Sequence, residues 1–223
     1  MAGRRGREGV TDARRARSQR PPEPPADHPR LFVATPLDEA ARAAVAGLVA
    51  DVQGIVLGVA REPRSEVRWV RLDGLHLTAR FLGATEPGRV AHVSAAVDAV
   101  AASVAPFRVT IGGAGAFPTA ARPRTLWLAV RDGQPQLADI AGRLDEQLVA
   151  GGWAHDDRPF RAHLTLARAD GRREGPLVAR TLEQRASQFE TGFVANRLVL
   201  FESLTGGGPA RYVAVHDAPL SGG

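Results

Sequence analysis

From residue 30 onward, short apolar runs alternate with longer stretches whose apolar positions recur every three or four residues. The run RLFVAT at 30–35 predicts a strand, and residues 38–56 predict a helix with Ala41, Val45, Leu48, Val49 and Val52 along one face. Two further strands are predicted over 67–71 and 75–82, separated by the turn pair Asp73-Gly74. A second amphipathic helix comes next over 86–104, then strands near 107–111 and 125–130. The second half repeats this order, with a helix over 136–150 stopped by Gly151-Gly152, a strand over 161–168, a helix over 178–188, and strands at 197–203 and 211–216. Such grouping predicts one α+β domain over 30–220, with a mainly antiparallel sheet in each half.

Residues 1–29 break the pattern. They hold Pro21, Pro22, Pro24, Pro25 and Pro29 and almost no large apolar side chains, so they are expected to form a disordered tail. Seven arginines against four acidic residues give this tail +3 of the chain's net +5, which leaves the folded body nearly balanced. Bulk charge therefore does not prepare the body to coat a long polyanion, whereas a local arginine pocket suits a small phosphorylated ligand or an RNA end. The tail's acidic residues and prolines argue against a transit peptide, and no apolar run long enough for a membrane span is read from the pattern. A cytoplasmic monomer is expected.

Composition removes several chemistries. The 223 residues contain no Cys, which excludes disulfides, thiolate metal sites and cysteine nucleophiles. All the basic residues are Arg, so neither a Schiff-base lysine nor a P-loop lysine is available. No glycine-rich loop comes after a strand to support dinucleotide or P-loop binding.

The candidate chemistry lies in a duplicated tripeptide, His76-Leu77-Thr78 and His163-Leu164-Thr165, each inside a predicted strand. Residues two apart on a strand share a face, with Cα atoms about 6–7 Å apart. Leu75, Leu77, Ala79 and Phe81 then form one face of the first strand, and His76, Thr78 and Arg80 the other. In the second strand Ala162, Leu164 and Leu166 oppose His163 and Thr165. Each half thus presents an imidazole and a hydroxyl together, away from its apolar face.

These motifs, with RLFVATPLD from Arg30, VRWVRLDGLHLTARFLG ending at Gly83, RPRTLWLAV from Arg122, RPFRAHLTLAR from Arg158 and NRLVLFESLTGGGPARYVAV from Asn196, resemble the 2H phosphoesterases. The similarity is specifically to the RNA 2',3'-cyclic phosphodiesterases, also called 2'-5' RNA ligase-like proteins. Ala162 departs from the family, which often has Pro before the second histidine. The resemblance implies a bilobal fold with pseudo-two-fold symmetry, in which both motifs line a central groove. It also implies hydrolysis of RNA 2',3'-cyclic phosphate ends to 2'-phosphates, with His76 as the acid that protonates O3' and His163 as the base that activates water. Thr78 and Thr165 would bind the non-bridging oxygens, and Arg168 the phosphate. No metal or other cofactor is implied.

In-line opening of a cyclic phosphate needs a base and an acid about 180° apart across phosphorus, which histidines from opposite lobes can provide. Strand alternation places Arg168 on the face opposite His163 unless the strand bulges or ends there. Arg80 shares the face of His76, as a weaker substrate contact or a solvated rim arginine. His28, His92, His155 and His216 carry no expected role, and the His155-Asp156-Asp157 sequence is a poor metal site. Trp69 and Trp127 are expected in the core rather than stacked on a base. Other readings are a small cyclic phosphate substrate, 2'-5' ligation, and a non-catalytic RNA- or nucleotide-binding module, although a pure binder needs no pair of titrating imidazoles.

Overall fold

Strand β1 (Arg30–Pro36) is buried without a break from Leu31 to Thr35, so both of its faces are covered and it lies inside a sheet. It runs antiparallel between β3 (His76–Ala84) and β8 (Arg197–Leu204), and β9 (Arg211–Pro219) pairs with β8 on the outside. In the other half β4 (Phe107–Phe117) lies between β5 (Thr125–Asp132) and β7 (Glu190–Ala195), while β5 pairs onward with β6 (His163–Arg168). The short β2 (Arg68–Trp69) also pairs with β6. The computed structural model describes residues 27–59, 67–171, 174–206 and 208–222, so most of the expected N-terminal tail lies outside the described residues.

The order is β7-β4-β5-β6-β3-β1-β8-β9. The two sheets expected from the sequence are therefore the halves of one curled antiparallel sheet, joined where Leu77 of β3 pairs with Leu164 of β6.

Among the described residues, four helices cover the face that carries these leucines. Helix α1 (Glu39–Val59) opens on Asp38, whose carboxylate accepts a hydrogen bond from the Ala41 amide at 2.8 Å as an N-cap. Its buried Ala41, Val45, Val49 and Val52 join Leu126, Leu128, Leu164 and Leu182 in one core. Helix α4 (Gly175–Ala186) contributes Leu182 to the same half. Helices α2 (Val90–Ala102) and α3 (Gln134–Ala150) pack Val97, Ile140, Leu144 and Leu148 against Leu31, Val33, Leu198 and Leu200. Complete burial of each large aliphatic side chain contributes about 1.5–3 kcal/mol.

The helices also exchange sides. Helix α1 leaves β1 but packs on the β4–β7 half, and α3 leaves β5 but packs on the β1–β3 half. Each core thus draws on both halves of the chain, which couples their folding. By length and mean hydropathy, 1.5 over its most apolar stretch, α1 would pass as a membrane span, contrary to the sequence reading of no such run. Its buried stripe instead forms core against β-strand and α4 side chains.

Candidate active site

The seam of the sheet builds the site. Leu77 and Leu164, the central residues of the two tripeptides, are Cα partners and almost wholly buried, at 2% and 0% exposure. In an antiparallel pair that register, carried one residue either way, sets His76 across from Thr165 and Thr78 across from His163, all on the face opposite the cores. A pseudo-two-fold axis passes through the leucine pair. His76, Thr78, Thr165 and Arg168 line a groove of about 940 Å³ on this face. His163 stands at the groove's margin, near enough for its charge to bear on that of His76.

Each motif runs into a bulge, and the two bulges match. On β6, Ala167 pairs with Leu126 but Thr165 with Trp127, so Leu166 is an extra residue and Leu166 and Ala167 are both buried. The bulge reverses the alternation and brings Arg168 to the groove. On β3, Thr78 pairs with Ala34 and Arg80 with Val33, so Ala79 is extra and Ala79 and Arg80 are both buried. Phe81 then emerges in the groove, 53% exposed. Phe81 and Arg168 are each the fifth residue after their histidine and thus equivalent across the axis.

Arg80 is accordingly neither a substrate contact nor a solvated rim residue. It is buried, with Nη2 2.8 Å from Asp145, Nη1 3.1 Å from Asp156, and a bond donated to the Ala154 carbonyl. Desolvating this guanidinium is tolerable because both carboxylates face it. The cluster ties the segment that leads into β6 to the strand carrying His76. Asp156 also takes a forked pair of bonds from Arg158, whose side chain lines the groove, and this pairing drives the Asp156 carboxyl down to about 2.

The histidines share one local device. His76 Nδ1 lies 2.7 Å from the Gly74 carbonyl, and His163 Nδ1 lies 2.7 Å from that of Arg161. A carbonyl only accepts, so each Nδ1 carries the proton and donates it, leaving Nε2 as the working nitrogen. Burial pushes His76 down to about 4, reinforced by the His163 charge and partly offset by the Gly74 carbonyl. His163 is also lowered, by burial first and by the Arg168 charge. Both rings are therefore neutral in the free protein near pH 7.

Their surroundings differ. His76 packs 4.7 Å from the Phe32 ring and 5.0 Å, edge-on, from Tyr212. Phe201 stacks behind Phe32 at 5.4 Å. The close approach requires Gly74, since a Cβ there would lie 2.8 Å from the Tyr212 ring. His163 meets Phe117 edge-on at 5.2 Å and Trp127 at 6.3 Å. Gly115 lets Trp127 lie across β4, because a Cβ there would stand 2.5 Å from the indole.

Phe32, Tyr212, Arg68 and Arg158 are groove residues that the sequence pattern does not single out, and Phe81, expected on the apolar face with Leu77, is moved into the groove by the bulge at Ala79. The signal for Phe32 was present in the unbroken apolar run of β1, which implies a second covered face. Trp127 is half-buried beside His163, while Trp69 packs on the core and also lines the groove. Ala162 packs on the core, away from the groove. The remaining histidines find local partners: His92 stacks on Trp153, His155 pairs with Asp145, and His216 pairs with Asp98. Among the described residues no three His, Asp or Glu side chains converge as a metal site.

Residues 48–207 match the 2'-5' RNA ligase superfamily. An RNA 2',3'-cyclic phosphodiesterase of Archaeoglobus fulgidus is 30% identical over 159 residues, covering 71% of this chain and 82% of that protein. One from Thermus thermophilus is 33% identical over 147 residues, covering 62% and 68%. The crystal structure of E. coli LigT complexed with 3'-AMP superposes with a TM-score of 0.66 at 23% identity, covering 87% of this chain and 99% of that one. With the two-fold seam and the paired motifs, this match over most of its length makes the chain an enzyme of the 2'-5' RNA ligase superfamily.

Proposed function

We propose that the protein hydrolyses RNA 2',3'-cyclic phosphate ends to 2'-phosphates by acid-base catalysis from His76 and His163. The observation that carries this reading is the Leu77–Leu164 register, which brings two imidazoles and two hydroxyls around one point from opposite strands. A phosphorus atom at that point has a basic nitrogen on one side and, once the second ring is protonated, an acid on the other. Water attacks phosphorus as it passes a proton to one Nε2, and the P–O3' bond breaks as O3' takes a proton from the other. Thr78, Thr165 and Arg168 donate to the non-bridging oxygens, where charge builds in the transition state.

We assign the two roles from the shape of the groove. Its volume lies on the His76 side, lined by Phe32, Phe81 and Tyr212, where a nucleoside has room and Phe81 offers a face for its base. With the nucleoside on the His76 side, the attacking water is left the His163 side. His76 is therefore the acid beside the departing O3', and His163 the base. The names of the relatives point to the same reaction, and a cytoplasmic site of action accords with an RNA substrate.

The test is a purified-protein assay on an oligoribonucleotide ending in a 2',3'-cyclic phosphate, run in EDTA, with the product's phosphate located by NMR. A 2'-phosphate is expected. A 3'-phosphate, or activity that returns only with a divalent ion, contradicts the mechanism.

A further inference from the structure

Arg68 of β2 and Arg168 of β6 are direct Cα partners, and both side chains line the groove. Like charges placed opposite one another across a strand pair repel, so this arrangement burdens the free protein. Arg168 is steadied by donating from Nη1 to the Thr125 hydroxyl at 2.5 Å. Arg68 is exposed and makes no ion pair among the described residues. Arg30 adds a third cation to the lining, and among the described residues no Asp or Glu lines the groove. Arg158, the remaining groove arginine, has its charge met by Asp156.

The reacting phosphate does not account for all of this. It sits at the seam with two histidines, two threonines and Arg168 around it, enough donors for its two non-bridging oxygens. Arg168 lies three residues past Thr165, about 7–10 Å along the strand, and Arg68 is one strand further across from it. With those donors already around the reacting phosphate, a guanidinium one strand across from Arg168 is placed for an anion next to it.

We propose that Arg68, opposite Arg168, forms a subsite for a second phosphate, the internucleotide phosphodiester on the 5' side of the cyclic end. The substrate class is then an oligonucleotide end, in preference to a nucleoside cyclic phosphate. The proposal rests on the phosphodiesterase reading above. The anion would relieve the Arg68–Arg168 repulsion, so the same pair that weakens the free protein favours the longer substrate. A terminal 5'-phosphate offers similar chemistry with one more charge and no chain beyond it.

The experiment compares three substrates: a nucleoside 2',3'-cyclic phosphate with a free 5'-hydroxyl, the same compound bearing a 5'-phosphate, and a dinucleotide with a cyclic end. The wild type should prefer the dinucleotide. In Arg68→Gln the kcat/KM ratio of dinucleotide to nucleoside should fall about tenfold, through KM, and Arg68→Lys should restore part of it. The slope of log affinity against log salt for the dinucleotide should flatten by about 0.7, the contribution of one phosphate contact on a single strand. The melting temperature of the variant without substrate should hold or rise.

A ratio that falls for the 5'-phosphorylated nucleoside but not for the dinucleotide would replace the internucleotide phosphate with a terminal one and so overturn the proposal. Equal losses on all three substrates would place Arg68 at the reacting phosphate, and an unchanged ratio would remove it from substrate binding; either overturns the proposal. If no cyclic phosphate is turned over, the reaction assignment fails separately. The subsite is then read by equilibrium binding of a 3'-phosphorylated oligoribonucleotide, where a tenfold loss in Arg68→Gln supports it and equal affinity overturns it.

Discussion

The two halves present their tripeptides on equivalent strands with equivalent bulges, yet they surround their histidines differently. The first encloses His76 in Phe32, Phe201 and Tyr212 and ends its bulge on Phe81. The second leaves His163 at the margin between Phe117 and Trp127 and ends its bulge on Arg168. What the halves share is backbone: a buried leucine, an imidazole anchored through Nδ1, a hydroxyl, and an extra residue that flips the alternation. What they do not share is the side chain each bulge delivers. On the proposed reading the shared part builds a site able to act on a phosphate from either direction, and the unshared part decides which way the substrate lies.

Breaking the shared part should have the largest effect. His76→Ala and His163→Ala should each lose about 10²–10⁴ in turnover on a cyclic-phosphate oligonucleotide while keeping a native circular dichroism spectrum. A folded variant of either kind with near-wild-type activity would refute the two-histidine site.

Breaking the unshared part should cost less and split by parameter. On the proposed reading Arg168→Ala removes a charged hydrogen bond to the phosphate, equivalent to roughly 1.5–3 kcal/mol, and should lower kcat/KM about 10- to 100-fold with kcat reduced. Phe81→Ala should raise KM roughly tenfold and largely spare kcat, since stacking on a base holds ground and transition states alike. Identical patterns in the two variants would mean that the positions do not distinguish phosphate from base.

The pH dependence sharpens the same contrast with a smaller effect. An acid must be protonated, so His76 in its proposed role governs the alkaline limb. In the free protein its burial and the His163 charge hold it down to about 4, which places the alkaline limb of kcat/KM at low pH. A bound phosphodiester anion favours the imidazolium, so the alkaline limb of kcat should lie about 1–3 pH units higher. Coincident limbs would contradict the assignment of the buried ring as the acid.

How far this organisation is legible before folding depends on which forces write it. The faces of the two motif strands are readable, because a leucine between two polar residues has only one side to bury. The helices are readable from their apolar spacing, but the exchange of α1 and α3 is not, since amphipathicity names a face and no partner. The end of β4, GGAGAF, and strand β7, ETGFVA, carry little apolar alternation and are held by pairing with neighbours, so neither was predicted. Arg168 and Arg80 show the same limit more sharply. Strict alternation puts Arg80 in the groove and Arg168 outside it, and one bulged residue in each strand reverses both placements. The bulges answer to pairing with β1 and β5, which no local pattern in HLTAR or HLTLAR announces.

Whether equivalent histidines do opposite work because the groove around them is unequal is decided by changing the leaving group. With a p-nitrophenyl phosphodiester the departing oxygen needs no proton, so His76→Ala should recover much of its lost rate relative to the wild type, and His163→Ala should not. Equal recovery in both variants, or in neither, would contradict the division of labour, and recovery in His163→Ala alone would reverse it.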